Sequence, residues 1–348
     1  LFRSYLLQRG VDAVESDLGE RIMQLLHEPP SHIVLPAIAV RREEVGALFE
    51  KVWHTEPGNS DPTYLTHQAR IHLRSKFLGA DIAMTGVNFA VASEGAFAVC
   101  TNEGNADLGT SFPDLHIAIM GLEKVIPDYR ALAVFTRLLA RSATGQPVTA
   151  YTSLYRRPAP GKQIHVIIVD NGRTESLANA AHRNMLKCLR CGACMNTCPV
   201  YRRSGGYSYS YFIPGPLGIN LSMLRSPKLH HGNVSACSLC YSCSNVCPAR
   251  IDLGEQIYAW RQEMGEKNLI DWHKKFMVKG MDFAMGGPGR FYAAVGAARI
   301  AEYLPRFVLN NKLNPWYAYG RDIPHFARST FNARWKAGKV KSEKPTER

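Results

Sequence analysis

The sequence predicts an α/β domain, then an α-helical domain organised around two cysteine runs, then a helical C-terminal region. Three observations lead there. Over residues 1–180, apolar residues change between helical spacing and strand-like alternation or short apolar runs. Residues 188–248 hold two short cysteine runs of identical spacing. After residue 253 the spacing is helical again, interrupted at Gly286-Gly287-Pro288-Gly289. At 348 residues the chain has room for two or three domains, drawn here at 1–180, 181–265 and 266–348.

In chain order, Phe2 to Gln8 reads as a helix and Val11 to Glu15 as a short strand. Asp17 caps a helix from Leu18 to Leu26, with Glu20 three residues on as in a capping box. Ser31 to Ala37 reads as a short apolar strand. Arg42 to Trp53 and Tyr64 to Leu78 carry apolar residues every three or four positions, so both are expected as amphipathic helices. The period then changes. Asp81 to Ala92 and Ala96 to Thr101 read as strands joined by a tight turn at Ser93-Glu94-Gly95. A buried strand at His116 to Met120 precedes a helix from Tyr129 to Ala140, and Val148 to Tyr155 and Ile164 to Asp170 complete the strand set. This pattern predicts a largely parallel sheet covered by helices. Glu175 to Lys187 reads as a helix running into the first cysteine run.

The first run is Cys188, Cys191, Cys194, Cys198-Pro199, and the second is Cys237, Cys240, Cys243, Cys247-Pro248. Both are C-x2-C-x2-C-x3-C-P, the ferredoxin spacing for a [4Fe–4S] cluster. Three cysteines two residues apart fit a tight, partly helical loop around one cubane, and the proline stops continuation of that loop. In two-cluster proteins the fourth cysteine ligates the other cluster. The expected ligand sets are therefore Cys188, Cys191, Cys194 and Cys247 for one cluster, and Cys237, Cys240, Cys243 and Cys198 for the other. Structural zinc favours C-x2-C pairs in separated knuckles and suits two uninterrupted runs poorly. Disulfides need an oxidising compartment.

Between the runs, Gly205-Gly206-Tyr207 and Pro214 to Gly218 predict an ordered, extended loop that covers the clusters. Leu253 to Lys267 is expected as a helix, and 268–303 as largely helical. The remainder, with Trp316 and Trp335, reads as a docking segment or a basic tail carrying Arg328, Arg334, Lys336, Lys339, Lys341 and Lys344.

The formal charge of +13 suits acidic partners, membrane surfaces or nucleic acid. No interleaved aromatic and basic motif is present, so nucleic acid is not expected as a partner. No uninterrupted apolar run reaches the roughly 18 residues of a membrane span; the nearest, Phe291 to Leu304, is broken by Arg299 and Glu302. The chain begins Leu-Phe-Arg-Ser with no signal-peptide pattern and no Met, so residues upstream are expected. Clusters and free thiolates point to a reducing cytoplasm, with peripheral contact at the inner face of the membrane open to the basic tail.

Other candidate residues carry alternatives. Lys187 and Arg190 flank the first run; they either stabilise the reduced cluster or simply face solvent. Ser238, Ser242 and Ser244 are candidate donors to cluster sulfurs, with backbone amides the stronger choice. Asn102, Glu103, Gly104 and Asn105 follow a strand and either line a pocket or supply turn chemistry, with Arg141, Ser142 and Asp170 of suitable type. Cys100 and His116 read as packed residues, and His230-His231 as part of a polar loop.

The order of motifs resembles the iron–sulfur subunit of bacterial L-lactate utilisation, the lactate utilisation protein B family. The stretches that carry it are Asp17–Glu20, Pro30–Ala37, Thr85–Ala90, Thr101–Asn105, His116–Gly121, Arg141–Gly145, Asp170–Arg173, both cysteine runs and Gly215–Gly218. The resemblance implies an N-terminal lactate-utilisation domain with a sugar-phosphate isomerase/CoA-transferase-like sheet, here N-terminally truncated. It also implies an α-helical domain with two [4Fe–4S] clusters and a family-specific C-terminal region. Implied partners are sister subunits A and C, and an electron acceptor that is a quinone or another carrier. The implied role is an electron-transfer subunit, an oxidoreductase component, in oxidation of L-lactate or another 2-hydroxy acid. The alternative is that the α/β domain is itself catalytic or binds a nucleotide or acyl cofactor, with the clusters as its wire.

Overall fold

The computed structural model describes residues 2–209, 212–301, 303–312, 314, 317, 320, 321, 327 and 329–340. Arg328, Lys341 and Lys344 of the basic tail, and Trp316, lie outside the described residues. Residues 1–269 form one compact unit and 270–348 another.

Four helices open the first unit: α1 (Phe2–Leu7), α2 (Leu18–Leu26), α3 (Arg42–Trp53) and α4 (Pro62–Leu78). Asp17 caps α2, its Oδ1 accepting from the amides of Gly19 and Glu20. Asp61 caps α4, which carries Pro62 in its first turn. The inward faces of α2, α3 and α4 bury Ile22, Val45, Leu48, Phe49, Leu65 and Ala69 as one apolar cluster.

Two expected strands do not form, and in both a side chain captures the backbone groups a ladder would need. At 11–15, Gln24 donates to the carbonyl of Ala13 and accepts from the amide of Glu15. At 31–37, His32 Nδ1 accepts from the amides of Val34 and Leu35, both at 3.0 Å, and bends the chain.

The strands are β1 (Ile82–Gly86), β2 (Phe89–Val91), β3 (Ala96–Thr101), β4 (Leu115–Gly121), β5 (Val125–Ile126), β6 (Tyr151–Tyr155) and β7 (Gln163–Val169). They build two sheets rather than one largely parallel sheet. The first, β1-β4-β7, is three-stranded and wholly parallel. The second, β5-β2-β3-β6, is four-stranded, antiparallel at β2–β3 and β3–β6 and parallel only at β2–β5. The expected single strand 81–92 breaks where the chain changes sheet. The Val87 amide still donates to Ile119 of β4, while the Asn88 amide donates to Ala98 of β3. Asn88 Oδ1 then accepts from Cys100, fixing the crossing.

Helix α5 (Asn105–Ser111) follows β3, and α6 (Tyr129–Thr144), capped by Asp128, packs Leu132 and Leu139 against Phe89, Val91 and Ala98. That same core takes in Leu189, Cys191 and Ala193 of the first cysteine run. The first cysteine run is thus seated on the α/β domain. The expected continuous helix 175–187 is two pieces, α7 (Arg173–Ala178) and a 3-10 turn at Arg183–Lys187. Asn179 parts them, extended at φ −86°, its side chain accepting from the Ala181 amide.

The cysteine region is helical: α8 (Ala193–Thr197), α9 (Pro199–Ser204), α10 (Gly215–Arg225), α11 (Pro227–Ala236), α12 (Ser242–Val246) and α13 (Leu253–Glu266). The expected extended loop at 214–218 is instead the start of α10, with Pro216 in its first turn, where a missing amide hydrogen costs nothing. His230 and His231 lie within α11 rather than in a loop, and His230 is buried. In the second unit, α14 (Trp272–Met285) and α15 (Pro288–Ala301) are separated at Gly286-Gly287, with short helical turns at Arg306–Leu309 and Phe331–Lys336. Among the described residues no helix is long and apolar enough to cross a membrane.

Candidate metal centre

The two cysteine loops repeat one backbone conformation. In the first, Arg190 and Gly192 are left-handed, at φ 64° and 78°. In the second, Leu239 and Tyr241 occupy the same places at φ 52° and 59°. Each loop thus turns twice between its first and third cysteine before entering a five-residue helix, α8 or α12. Left-handed conformation in a bulky residue costs about 1–2 kcal/mol. Three such residues persist here because the turns aim amides at sulfur. Arg190 N donates to Cys188 Sγ at 3.4 Å and Leu239 N to Cys237 Sγ at 3.4 Å. After each fourth cysteine the pattern recurs with Tyr201 N on Cys198 Sγ (3.5 Å) and Ile251 N on Cys247 Sγ (3.3 Å).

The loops pack on each other through α8 and α12, and Thr197 Oγ1 bonds Ser242 Oγ between them. This contact brings three thiols of one run to the fourth of the other. Cys188, Cys191, Cys194 and Cys247 line one cavity, closed by Leu189, Leu217 and Ile251. Cys237, Cys240, Cys243 and Cys198 line a second. The second is roomier, about 180 Å³ against 20 Å³. Helix α10 serves both, with Leu217 in the first wall and Pro216 and Ile219 in the second.

The donor chemistry fits iron–sulfur cubanes. Each cavity offers four thiols, apolar walls and amide hydrogens directed at sulfur. Burial pushes the thiols of Cys188, Cys191, Cys194 and Cys237 up, and that of Cys243 to about 11. Neutral thiols are therefore the free state, and metal binding would release their protons. Among the described residues no three His, Cys, Asp or Glu side chains converge tightly enough for a single metal ion.

The other candidates separate cleanly. Cys100 sits half-buried in β3, away from both cavities. His116 is packed, its ring edge-on to Phe97 and Tyr155 and its Nε2 2.7 Å from Thr85 Oγ1. Asn102, Glu103 and Asn105 serve turns and helix ends: Asn102 Oδ1 takes the Ala150 amide and Glu103 Oε2 the Leu18 amide. Asp170 caps α7 through Thr174. Ser244 bonds Asp252, and Ser242 bonds Thr197, so neither hydroxyl is aimed at sulfur by these contacts. Lys187 is exposed.

Sequence reasoning missed the residues that join the first loop to the sheet. Glu123 follows β4, and its side chain is only 4% exposed. Its carboxylate is held by Arg173 Nε and Nη2 and by Arg190 Nη2. Burial alone would raise its pKa, but the bond from Arg173, with Arg190 nearby, holds it below the usual carboxylate range. Its only sequence signal was adjacency to the motif His116–Gly121. A half-buried carboxyl, Glu20, is pushed up to about 9, first by its partial burial and then by its bond to Asp17.

Comparison with known proteins agrees with this architecture. A family model described as the LUD domain matches residues 3–175, and one described as a 4Fe-4S dicluster domain matches 184–251. The chain is 37% identical to the uncharacterized electron transport protein YkgF of Escherichia coli (strain K12), over 97% of this chain and 73% of that protein. It is 38% identical to lactate utilization protein B of Oceanobacillus iheyensis, again over 97% of this chain and 73% of the relative. With the same-named protein of Bacillus cytotoxicus it shares 46% identity over 62% of this chain and 46% of the relative. No solved structure matches.

Proposed function

The chain belongs to the family of lactate utilization protein B, and from that premise we propose that it is an iron–sulfur electron-transfer subunit of a multi-protein system oxidising L-lactate or a similar 2-hydroxy acid. The observation that carries the reading is the pair of cavities, each lined by three thiols of one run and the fourth of the other. In this reading Cys188, Cys191, Cys194 and Cys247 hold one [4Fe–4S] cluster, and Cys237, Cys240, Cys243 and Cys198 hold the other. Bound clusters supply one-electron transfer.

This chain's residues do the rest. The four amide–sulfur bonds favour the more negative, reduced state of each site. Leu217, Ile251 and Leu253 keep water from the first cavity. Cys240, the exposed thiol, marks where the second comes nearest the surface. The α/β domain, taken as residues 1–180 with a sugar-phosphate isomerase/CoA-transferase-like sheet, seats the first cysteine loop. The cluster domain spans 181–265, and 266–348 is a helical region with a basic tail. Sister subunits A and C are the expected partners, with a quinone or another carrier as acceptor. The setting is the cytoplasm, with the basic tail able to meet the inner membrane face.

The test is anaerobic purification with an iron count and EPR of the reduced protein. About eight irons and two interacting signals are expected. Zinc in place of iron, or iron that no reductant changes, would end the reading. That the α/β domain also binds a small molecule is favoured by the charged residues at its strand ends, Lys124, Arg173 and Glu123.

A further inference from the structure

The parallel sheet β1-β4-β7 ends, at its C-terminal edge, against the first cysteine loop. Ligands of open α/β sheets bind at that edge. Here it carries an unbalanced set of charges. Glu123 and Lys124 follow β4, Arg173 follows β7, and Arg190 reaches in from between Cys188 and Cys191. Two of these cations pair with the one buried carboxylate, since Asp170, also after β7, is exposed and bonds Thr174. Glu123 is committed to Arg173 and Arg190. Gly121, the last residue of β4, admits this clasp, since a Cβ there would meet Glu123 Oε2 and stand 2.6 Å from Arg173 Nε.

Two donors are left over. Arg190 Nη1 is buried with no acceptor. Lys124 is half-buried and makes no ion pair among the described residues. Arg190 and Arg173 both oppose its charge, while Glu123 and the Cys188 sulfur, once ionised, favour it. A buried guanidinium nitrogen without an acceptor, as at Arg190, is costly and rare. Arg190 turns its guanidinium to Glu123 and offers Cys188 only its backbone amide. The surplus charge therefore stands on the sheet side of the loop.

We propose that Lys124, Arg173 and Arg190 form a binding site for a small carboxylate at the C-terminal edge of β4 and β7, electrostatically coupled to the cluster site at Cys188. The site itself stands on the α/β domain; only its redox coupling rests on the reading of the first cavity as a cluster site. Reduction makes that cavity more negative, so the carboxylate binds the oxidised protein more tightly. By linkage, the carboxylate opposes reduction by the same factor.

The test is equilibrium dialysis of radiolabelled pyruvate and L-lactate against the anaerobic, iron-replete protein, oxidised and then reduced, with inorganic phosphate as a competing arm. Saturable carboxylate binding is expected, weaker on reduction. Lys124→Gln should weaken it about tenfold, the loss of one charge-assisted hydrogen bond, while Lys124→Arg retains it. Both variants should keep the parent iron count and EPR signals, which shows that the fold and clusters are intact. Binding absent in both redox states, or unchanged in Lys124→Gln, would overturn the proposal. So would phosphate binding that excludes carboxylates. Loss of iron from the parent protein would fail the cluster reading, yet would leave carboxylate binding to the sheet edge measurable.

Discussion

Glu123→Gln is the substitution from which the structure predicts most. The carboxylate is almost fully buried, and two guanidiniums close on it from different parts of the chain, Arg173 after β7 and Arg190 in the first cysteine loop. An amide keeps the volume but removes the charge. A hydrogen bond to a charged partner contributes about 1.5–3 kcal/mol. The Arg173 pair counts in full on the carboxylate side, but the guanidinium is 22% exposed, and that of Arg190 is 27% exposed at 3.5 Å. Screening at those arginines trims the second contribution most. The sum is about 2–4 kcal/mol, overlapping the lower part of the roughly 3–5 kcal/mol for breaking a buried pair.

At roughly 2–4 °C per kcal/mol the melting temperature of the holo protein should fall by roughly 4–16 °C near neutral pH. The pH dependence has a definite sign. Because the folded pKa of Glu123 is depressed, its stabilisation is present above the ordinary carboxylate pKa and is lost as pH falls through the folded value. Parent and variant melting curves should therefore converge only once the pH has fallen below the ordinary carboxylate range. Scanning calorimetry across pH decides it. A shift under one degree at neutral pH, or a gap that persists in acid, would refute the clasp as a stabilising link.

Three further outcomes follow from other sites. Glu20 is neutral when folded at ordinary pH, its pKa raised to about 9, so its contribution is whole below the unfolded pKa and is lost as pH rises through the folded one. Glu20→Gln should then melt higher than the parent at pH 8.5 and match it near pH 4, as thermal unfolding at the two pH values will show. Cys100→Ser, away from both cavities, should keep the full iron content by colorimetric assay. Asp128→Ala removes the acceptor of the Ala131 amide at the start of α6 and should cost about 1 kcal/mol, read as a small fall in melting temperature.

How far the sequence could be read depends on which groups satisfy the backbone. Helices with regular apolar spacing, Leu18–Leu26 with its Asp17 cap and Arg42–Trp53 by spacing alone, were legible residue by residue, because these signals are local. The failed strands at 11–15 and 31–37 have apolar runs that fit the strand pattern. Their donors and acceptors, however, go to Gln24 and His32, a choice no periodicity records. The division into two sheets turns on Val87 and Asn88 bonding in opposite directions, which is invisible in a run of apolar residues. Proline was misleading at 216, where a first-turn position reads like a loop signal. At the candidate metal centre the thiols announced themselves through spacing. Lys124 and Glu123 did not, since their meaning comes from Arg173 and Arg190, which lie 49 or more positions further along and meet them only in the fold.

The most direct measurement concerns the crossing of ligands between the runs. Reduced, anaerobically prepared Cys→Ser variants at positions 191, 198, 240 and 247 should be compared by EPR. Cys247→Ser should alter the same signal as Cys191→Ser, and Cys198→Ser the same signal as Cys240→Ser. If Cys247→Ser instead groups with Cys240→Ser, each run holds its own cluster, and the shared-ligand account is wrong.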